Sequence, residues 1–120
     1  MEENKDIAFM EQAQQQAKNY FRQGLNCSEC VMQTFLDLHG SELPPEIICM
    51  STGFGGGMGH TKNTCGAITG AVMALSAVAG RKHPMEKETM AERIQELHGI
   101  YDIVGRMVTE MEEKFGTLIC

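Results

Sequence analysis

Residues 64–80 read TCGAITGAVMALSAVAG and carry no charged side chain. Its residues are apolar or small around nearly the whole circumference of a helix, a pattern typical of a helix buried at the centre of a helical protein. Gly66 and Gly70 are four residues apart, so neighbouring helices can approach closely along one side. The run falls short of the about 20 apolar residues that cross a bilayer and includes Thr69 and Ser76, so we expect a central helix at about 64–80 and no membrane span.

The chain on the N-terminal side of this segment has the pattern of further helices. Residues 3–23 have apolar side chains at helical spacing and are followed by a glycine, the usual helix stop. Asn26 and Glu29 have the spacing of a capping box, which predicts that the second helix begins at Cys27. Pro44 and Pro45 favour a third helix of one or two turns, because proline is tolerated in a first turn.

The pattern of the C-terminal segment predicts a long helix at about 86–115 that ends at a Phe-Gly step. Its apolar residues alternate spacings of four and three, which is typical of the seam of a bundle or a coiled coil. The seam consists of Met90, Ile94, Leu97, Tyr101, Val104, Val108, Met111 and Phe115. We therefore expect residues 1–120 to form an all-α, single-domain bundle of four to five helices. We also expect a homodimer, because the acidic last helix has a long apolar seam.

Composition and charge narrow the function. The 120 residues include 16 acidic and 10 basic side chains, for a net charge of -6, and the basic ones form no stripe. This distribution argues against nucleic acid as a partner. The N-terminal residues lack the apolar run of a secretory signal, so the sequence predicts a cytoplasmic protein, in which most thiols stay reduced. Five cysteines then indicate reactive thiols, metal ligands or inert buried residues.

Two cysteines share one position relative to a predicted helix. Cys27 follows the capping residue Asn26, and Cys65 follows Thr64, which we expect to cap the central helix. Unpaired amides and the helix dipole stabilise an anion there, so such a thiol is expected to have a lowered pKa and to be a better nucleophile or ligand. The alternative is that both cysteines simply fill helix junctions, since free cysteine is often buried.

The other thiols carry weaker signals. Cys30 completes a CSEC sequence with Cys27, which could close a disulfide or hold a metal, although a lone CxxC is not specific. Cys49 lies between two apolar residues and has the pattern of a core thiol.

A glycine-rich loop is predicted at residues 53–63. Its first seven residues read GFGGGMG, and such backbone freedom suits neither a helix nor a central strand. The loop matches no nucleotide-binding pattern. We expect Gly55, Gly56 and Gly57, together with Gly66, to let backbone approach a small bound group. His60 is either a ligand or proton donor there or an ordinary exposed histidine.

Together these motifs resemble a known family. The Asn-Cys step at residues 26–27, the run GFGGGMG leading to TCGAITGAVMAL, and the Phe-Gly step before Cys120 are similar to the C_GCAxxG_C_C family, whose members have an inferred redox or metal-binding role. The resemblance implies a small helical protein in which Cys27, Cys65 and Cys120 are family cysteines. A fourth family cysteine would follow the third, and the sequence given has none after Cys120.

Three functions follow as hypotheses. The first is thiol–disulfide or electron transfer through Cys27, Cys65 and Cys120 with an unidentified redox partner. The second is a metal site or iron–sulfur cluster on the same thiolates, with Cys30 and His60 as further candidate ligands and with zinc, copper or iron as the metal. The third is a helical interaction module whose C-terminal seam pairs with a second copy or another helix and whose cysteines are structural.

Overall fold

The computed structural model describes residues 2–120, and in that part of the chain it contains five helices and no β-strand. Four are α-helices: α1 (Glu2–Arg22), α2 (Cys27–Leu38), α3 (Gly66–Ala79) and α4 (Met90–Phe115). A 3₁₀ helix over Pro45–Phe54 lies between α2 and α3. The predicted all-α class, with a central helix and a long C-terminal helix, is confirmed.

The start of α2 follows the sequence pattern residue by residue. The Asn26 side chain accepts a hydrogen bond from the Glu29 amide, and the Glu29 carboxylate accepts one from the Asn26 amide. This reciprocal capping box satisfies two amides that would otherwise lack a partner at the helix start. The helix begins at Cys27, as predicted.

Helix α1 is held on α2 by one carboxylate. Asp37 on α2 accepts hydrogen bonds from the Tyr20 hydroxyl and from the Gln16 amide of α1, the latter at 2.7 Å, and from Gln33 on its own helix at 2.9 Å. Burial opposes ionisation of Asp37, but the bonds from Tyr20, Gln33 and Gln16 outweigh it and hold the pKa of this carboxyl below its ordinary value. The ionised form of Asp37 therefore stabilises the pairing of α1 with α2.

The third helix is longer and tighter than the one or two α-helical turns that we predicted. It is a 3₁₀ helix of ten residues and extends into the predicted glycine-rich loop as far as Phe54. Ser51 is fully buried, and its hydroxyl donates to the Ile48 carbonyl at 2.6 Å. In a 3₁₀ helix residues three apart lie above one another, so Ile48 and Ser51 share the inner side. Cys49 lies off that side and is exposed, which makes the prediction of a core thiol wrong.

Helix α3 lies at the centre of the molecule and packs on α2, the 3₁₀ helix and α4. It begins at Gly66 with Cys65 as its N-cap, so the prediction that Thr64 caps it is wrong: Thr64 instead pairs with Ile119 in an isolated antiparallel β-bridge. Its buried residues are Gly66, Ile68, Gly70 and Ala74. Ser76 and Val78 near its end are exposed, so all-round burial does not extend over the whole helix.

Helix α4 begins at Met90, a few residues later than predicted, because Thr89 caps it by accepting a hydrogen bond from the Glu92 amide. It ends at Gly116, whose φ of 79° is the left-handed conformation of a helix stop. No residue of α4 is buried. Leu97, Val104, Val108 and Met111 of the predicted seam are half-buried, and its other members, Met90, Ile94, Tyr101 and Phe115, are exposed.

None of the helices described for residues 2–120 has both the length and the apolar character needed to cross a bilayer.

Candidate thiol site

The site is built where the first turns of α2 and α3 meet. Cys27 is the first residue of α2, and its Sγ packs directly against Gly66, the first residue of α3 and the neighbour of Cys65. A methyl group on Gly66 would overlap Cys27 Sγ and would come within 2.9 Å of the Phe54 carbonyl oxygen. Only glycine at residue 66 therefore allows this thiol to lie against the start of α3.

A second glycine of α3 continues the close approach. A methyl group on Gly70 would lie 2.8 Å from the Ser28 carbonyl oxygen and 3.2 Å from Val31 Cβ. The two helices are thus in backbone contact over their first turns, with the thiol of Cys27 at the start of the contact. The small residues of the motif CGAITG act here as packing residues that bring the two thiol-bearing segments together.

The loop that follows the 3₁₀ helix reaches α3 through an unusual backbone. Residues 56–60 all have positive φ, and this run includes two residues other than glycine, Met58 (66°) and His60 (63°). The amides of Gly59, His60, Lys62 and Asn63 donate to carbonyls within the loop, those of Gly53, Gly55, Gly56 and Gly57 respectively. These four amides are therefore already paired within the loop. Positive φ at Met58 and His60 costs of order 1–3 kcal/mol each, which the surrounding contacts must offset.

Asn26 ties this loop to the start of α2. Its side-chain amide donates to the Thr52 carbonyl at 2.9 Å, and the Thr52 hydroxyl donates to the Glu29 carboxylate at 2.9 Å. Gly55 packs against the Asn26 side chain so closely that a methyl group there would overlap it. The capping box of α2 therefore also anchors the 3₁₀ helix and the first glycine of the loop.

The C-terminal segment brings Cys120 to the same region. Hydrogen bonds on both sides of the Thr64–Ile119 bridge join the Cys65 amide to the Leu118 carbonyl (2.7 Å) and the Cys120 amide to the Asn63 carbonyl (2.8 Å). Side chains alternate between the two faces of an extended chain, so this register puts Cys65 and Cys120 on the same face. The two cysteines are diagonal neighbours, and residues in that position on paired strands are typically about 7–8 Å apart. A methyl group on Gly57 would lie 2.9 Å from Cys120 Cβ.

The structure thus places all three predicted thiols around the loop, but with different accessibility. Cys27 and Cys65 are half-buried and Cys120 is exposed. Gly55, Gly57 and Gly66 make the close contacts described above, and Gly56 packs against His60. A role for these four glycines in binding a cofactor stays a prediction. His60 is an exposed loop residue.

Cys30 differs from the other cysteines because its side chain is enclosed. Only 4% of Cys30 is exposed, and its Sγ lies 3.7 Å from the Leu25 carbonyl oxygen. Burial, followed by the charges of Cys27 and Glu29, raises the pKa of the Cys30 thiol above its ordinary value. Apart from the CxxC spacing, no sequence pattern singles out Cys30, because its burial depends on how α1 covers α2.

The arrangement does not form a ready-made metal site. Among the described residues no group of three or more His, Cys, Asp or Glu side chains is placed so as to hold a metal ion. The ligand set predicted from Cys27, Cys65, Cys120, Cys30 and His60 is therefore not assembled. Binding of zinc, copper or an iron–sulfur cluster would need these side chains to move together.

Sequence reasoning missed two cations beside the thiols. Lys18 and Arg22 of α1 line a groove of about 320 Å³ together with Cys27 and Cys30. Their spacing of four residues places them on one side of α1, a signal that the sequence does contain. The spacing alone does not show that these cations lie near the thiols, because that depends on how α1 packs beside the CSEC sequence.

The comparisons with known proteins agree with the cysteine pattern. A family model described as "Putative redox-active protein (C_GCAxxG_C_C)" matches residues 25–120, which is most of the chain and includes every cysteine. No curated protein and no solved structure matches the chain.

Proposed function

Because the chain belongs to the C_GCAxxG_C_C family of putative redox-active proteins, we propose that it carries out thiol–disulfide exchange through Cys27, Cys65 and Cys120. In the reaction the protein dithiol gives two electrons and two protons to an external disulfide. That disulfide is reduced to two thiols, and one disulfide forms within the protein. The contact of Cys27 Sγ with Gly66, the residue after Cys65, is the observation that carries the proposal.

Cys27 is the residue expected to meet the external disulfide. It is partly accessible and is the first residue of α2. Its thiolate attacks the disulfide, forms a mixed disulfide and releases one thiol. Cys65 is next to the residue that touches Cys27, so we expect a Cys27–Cys65 disulfide to form with little backbone movement. Cys120, the diagonal neighbour of Cys65 across the short β-bridge, is the third thiol of the cluster and stays reduced in this product.

Disulfide mapping tests this proposal. The reduced protein is oxidised with excess hydroxyethyl disulfide, free thiols are blocked, and the pairing is read from peptides by mass spectrometry. We expect a Cys27–Cys65 disulfide, which Cys27→Ser and Cys65→Ser each abolish. Cys49 is the internal control because it is exposed but lies outside the cluster. If Cys49 pairs as readily as Cys27, or if Cys27 stays free, the proposal is wrong.

A second proposed function, self-association through α4, has separate support. The accessible surface of the protein is 8468 Å². A compact monomer of 13.3 kDa has about 6,450 Å² by the relation between surface and mass. The radius of gyration of 15.5 Å is likewise larger than the about 13.6 Å typical of this length. The protein therefore exposes about 2,000 Å² more surface than a compact monomer of its mass. This extra surface is larger than the area of about 800 Å² that each partner buries in a standard interface.

The exposed part of the α4 seam fits a second copy of the chain. Met90 and Ile94 are 71% and 46% exposed, and Tyr101 and Phe115 are 59% and 63% exposed, although all four lie at seam positions. A homodimer would cover them with the same residues of the other copy. Sedimentation of a variant with every cysteine changed to serine tests this function: we expect a dimer, and a monomer at every concentration would contradict it.

A further inference from the structure

The groove beside Cys27 and Cys30 has features that the proposed exchange leaves unused. It lies between α1 and the first turn of α2, and Ala17, Lys18, Phe21, Arg22, Cys27 and Cys30 line it. Both thiols of the CSEC sequence therefore border one cavity. Its volume of about 320 Å³ lies at the lower end of the range of small-molecule sites.

The two thiols differ in the way that a two-step exchange requires. Cys27 is half-buried and open to an incoming molecule, whereas Cys30 is 4% exposed and lies one helical turn deeper. From helix rise and radius, residues three apart have Cα atoms about 5 Å apart. A disulfide needs a Cα separation of about 4.4–6.8 Å, so a bond between them requires only side-chain adjustment in the first turn.

The groove carries positively charged side chains although the protein as a whole is acidic. Lys18 and Arg22 are exposed, and neither is paired with a carboxylate within residues 4–120. The whole chain carries a net charge of -6, so these cations form a local exception. Two unpaired cations beside a nucleophile attract a small anionic molecule and hold its carboxylates near the helix start.

We infer that Cys30 is the resolving thiol of Cys27 and that the groove receives a low-molecular-weight disulfide that carries carboxylates. The inference rests on the proposed function. The Cys27 thiolate attacks one sulfur of the bound disulfide and releases the first small thiol. Cys30 then attacks Cys27 Sγ, and its proton passes to the sulfur of the second small thiol as that thiol leaves, so a Cys27–Cys30 disulfide remains. Cys65 afterwards attacks Cys27 Sγ and frees Cys30, so the disulfide passes to the Cys27–Cys65 pair.

Kinetics with oxidised glutathione test the first half. The reduced protein is mixed with this probe, quenched with acid at successive times and measured by intact mass. In the wild type and in Cys65→Ser, Cys120→Ser and Cys49→Ser, we expect release of two glutathione molecules per protein and little adduct. In Cys30→Ser and Cys30→Ala the glutathione adduct on Cys27 should persist at least ten times longer. Two Cys30 variants are used because a hydroxyl at this buried position could disturb folding, which circular dichroism monitors.

Three outcomes decide between the inference and the function on which it rests. Adduct resolution at the wild-type rate in both Cys30 variants would overturn the inference, and so would an adduct trapped by Cys65→Ser. Either result would leave Cys27–Cys65 exchange intact. If Cys27 in the wild type reacts with no disulfide at all, the proposed function fails as well.

The charge of the groove is tested separately. We expect the double change of Lys18→Gln and Arg22→Gln to slow adduct formation with oxidised glutathione about tenfold at low salt, and to leave the rate with uncharged hydroxyethyl disulfide unchanged. The matched control, Arg106→Gln with Lys114→Gln, removes two cations from α4 outside the groove. Equal slowing with both disulfides, or equal slowing in the control, would overturn the assignment of a carboxylate-bearing ligand.

Discussion

Substitution of Gly66 by alanine tests whether the contact between Cys27 and the start of α3 holds the site together. The added methyl group would overlap Cys27 Sγ and come within 2.9 Å of the Phe54 carbonyl oxygen and 3.5 Å of Gly55 Cα. Overpacking of a tight contact costs about 1–3 kcal/mol. Alanine in place of glycine returns up to about 1 kcal/mol in a helix, and less in its first turn. We therefore expect a net loss of about 1–2 kcal/mol in the free energy of unfolding.

Gly99→Ala and Gly105→Ala are the matched controls, because both glycines lie in α4 and a methyl group on either would meet nothing within 4 Å. They should raise the free energy of unfolding by about 0.5–1 kcal/mol, since only the helix preference changes. Urea denaturation followed by circular dichroism measures all three variants. The sign of the change should thus differ between α3 and α4 for the same chemical substitution.

The same variant should also impair the chemistry. Displacement of Cys27 from α3 is expected to lower the yield of the Cys27–Cys65 disulfide, while alkylation of the exposed Cys49 stays unchanged. If Gly66→Ala is as stable as the α4 controls and forms the Cys27–Cys65 disulfide normally, then Cys27 does not pack against Gly66 and the description of the site is wrong.

Three further variants test other parts of the structure. Asp37→Asn should lower the free energy of unfolding near neutral pH. The difference in this free energy from the wild type should shrink as the pH falls below 3.8, the ordinary pKa of the carboxyl, because the lowered pKa of Asp37 stabilises the fold only while the carboxyl is ionised. A difference that stays constant down to about pH 2 would contradict this. Asn26→Ala removes the cap of α2 and the bond to the Thr52 carbonyl and should cost about 1–2 kcal/mol in urea denaturation, so an unchanged midpoint would show that Asn26 anchors nothing. Ile94→Glu with Tyr101→Glu should convert a dimer into a folded monomer in sedimentation, and an unchanged dimer would exclude the α4 seam as its interface.

The local rules of helix formation were sufficient for much of the fold. Asn26 and Glu29 placed the start of α2 at the correct residue, because a capping box depends only on residues three apart. Gly116 marked the end of α4 for a similar local reason. The boundary of α3 was missed by a short distance because Thr64 is used by the C-terminal segment, a contact between residues that are far apart in sequence.

The candidate site could be predicted only in part, because its properties come from tertiary packing. The helix-start pattern singled out Cys27 and Cys65, and the resemblance added Cys120. Exposure of Cys49 and burial of Cys30 were not predictable, since each depends on which side of a short helix faces the rest of the protein. The groove cations were also missed, because they lie on α1, which the chain brings next to the thiols only through its packing on α2.

The central claim is that Cys27 and Cys65 are close enough in space to form a disulfide. A crystal structure of the reduced protein, with the separation of these two residues measured directly, tests it without any assumption about a substrate. We predict Cα atoms within about 7 Å of each other and both sulfurs facing the junction between α2 and α3. Cysteines on opposite sides of the helices, each enclosed by apolar side chains, would contradict the claim and leave both thiols with a packing role.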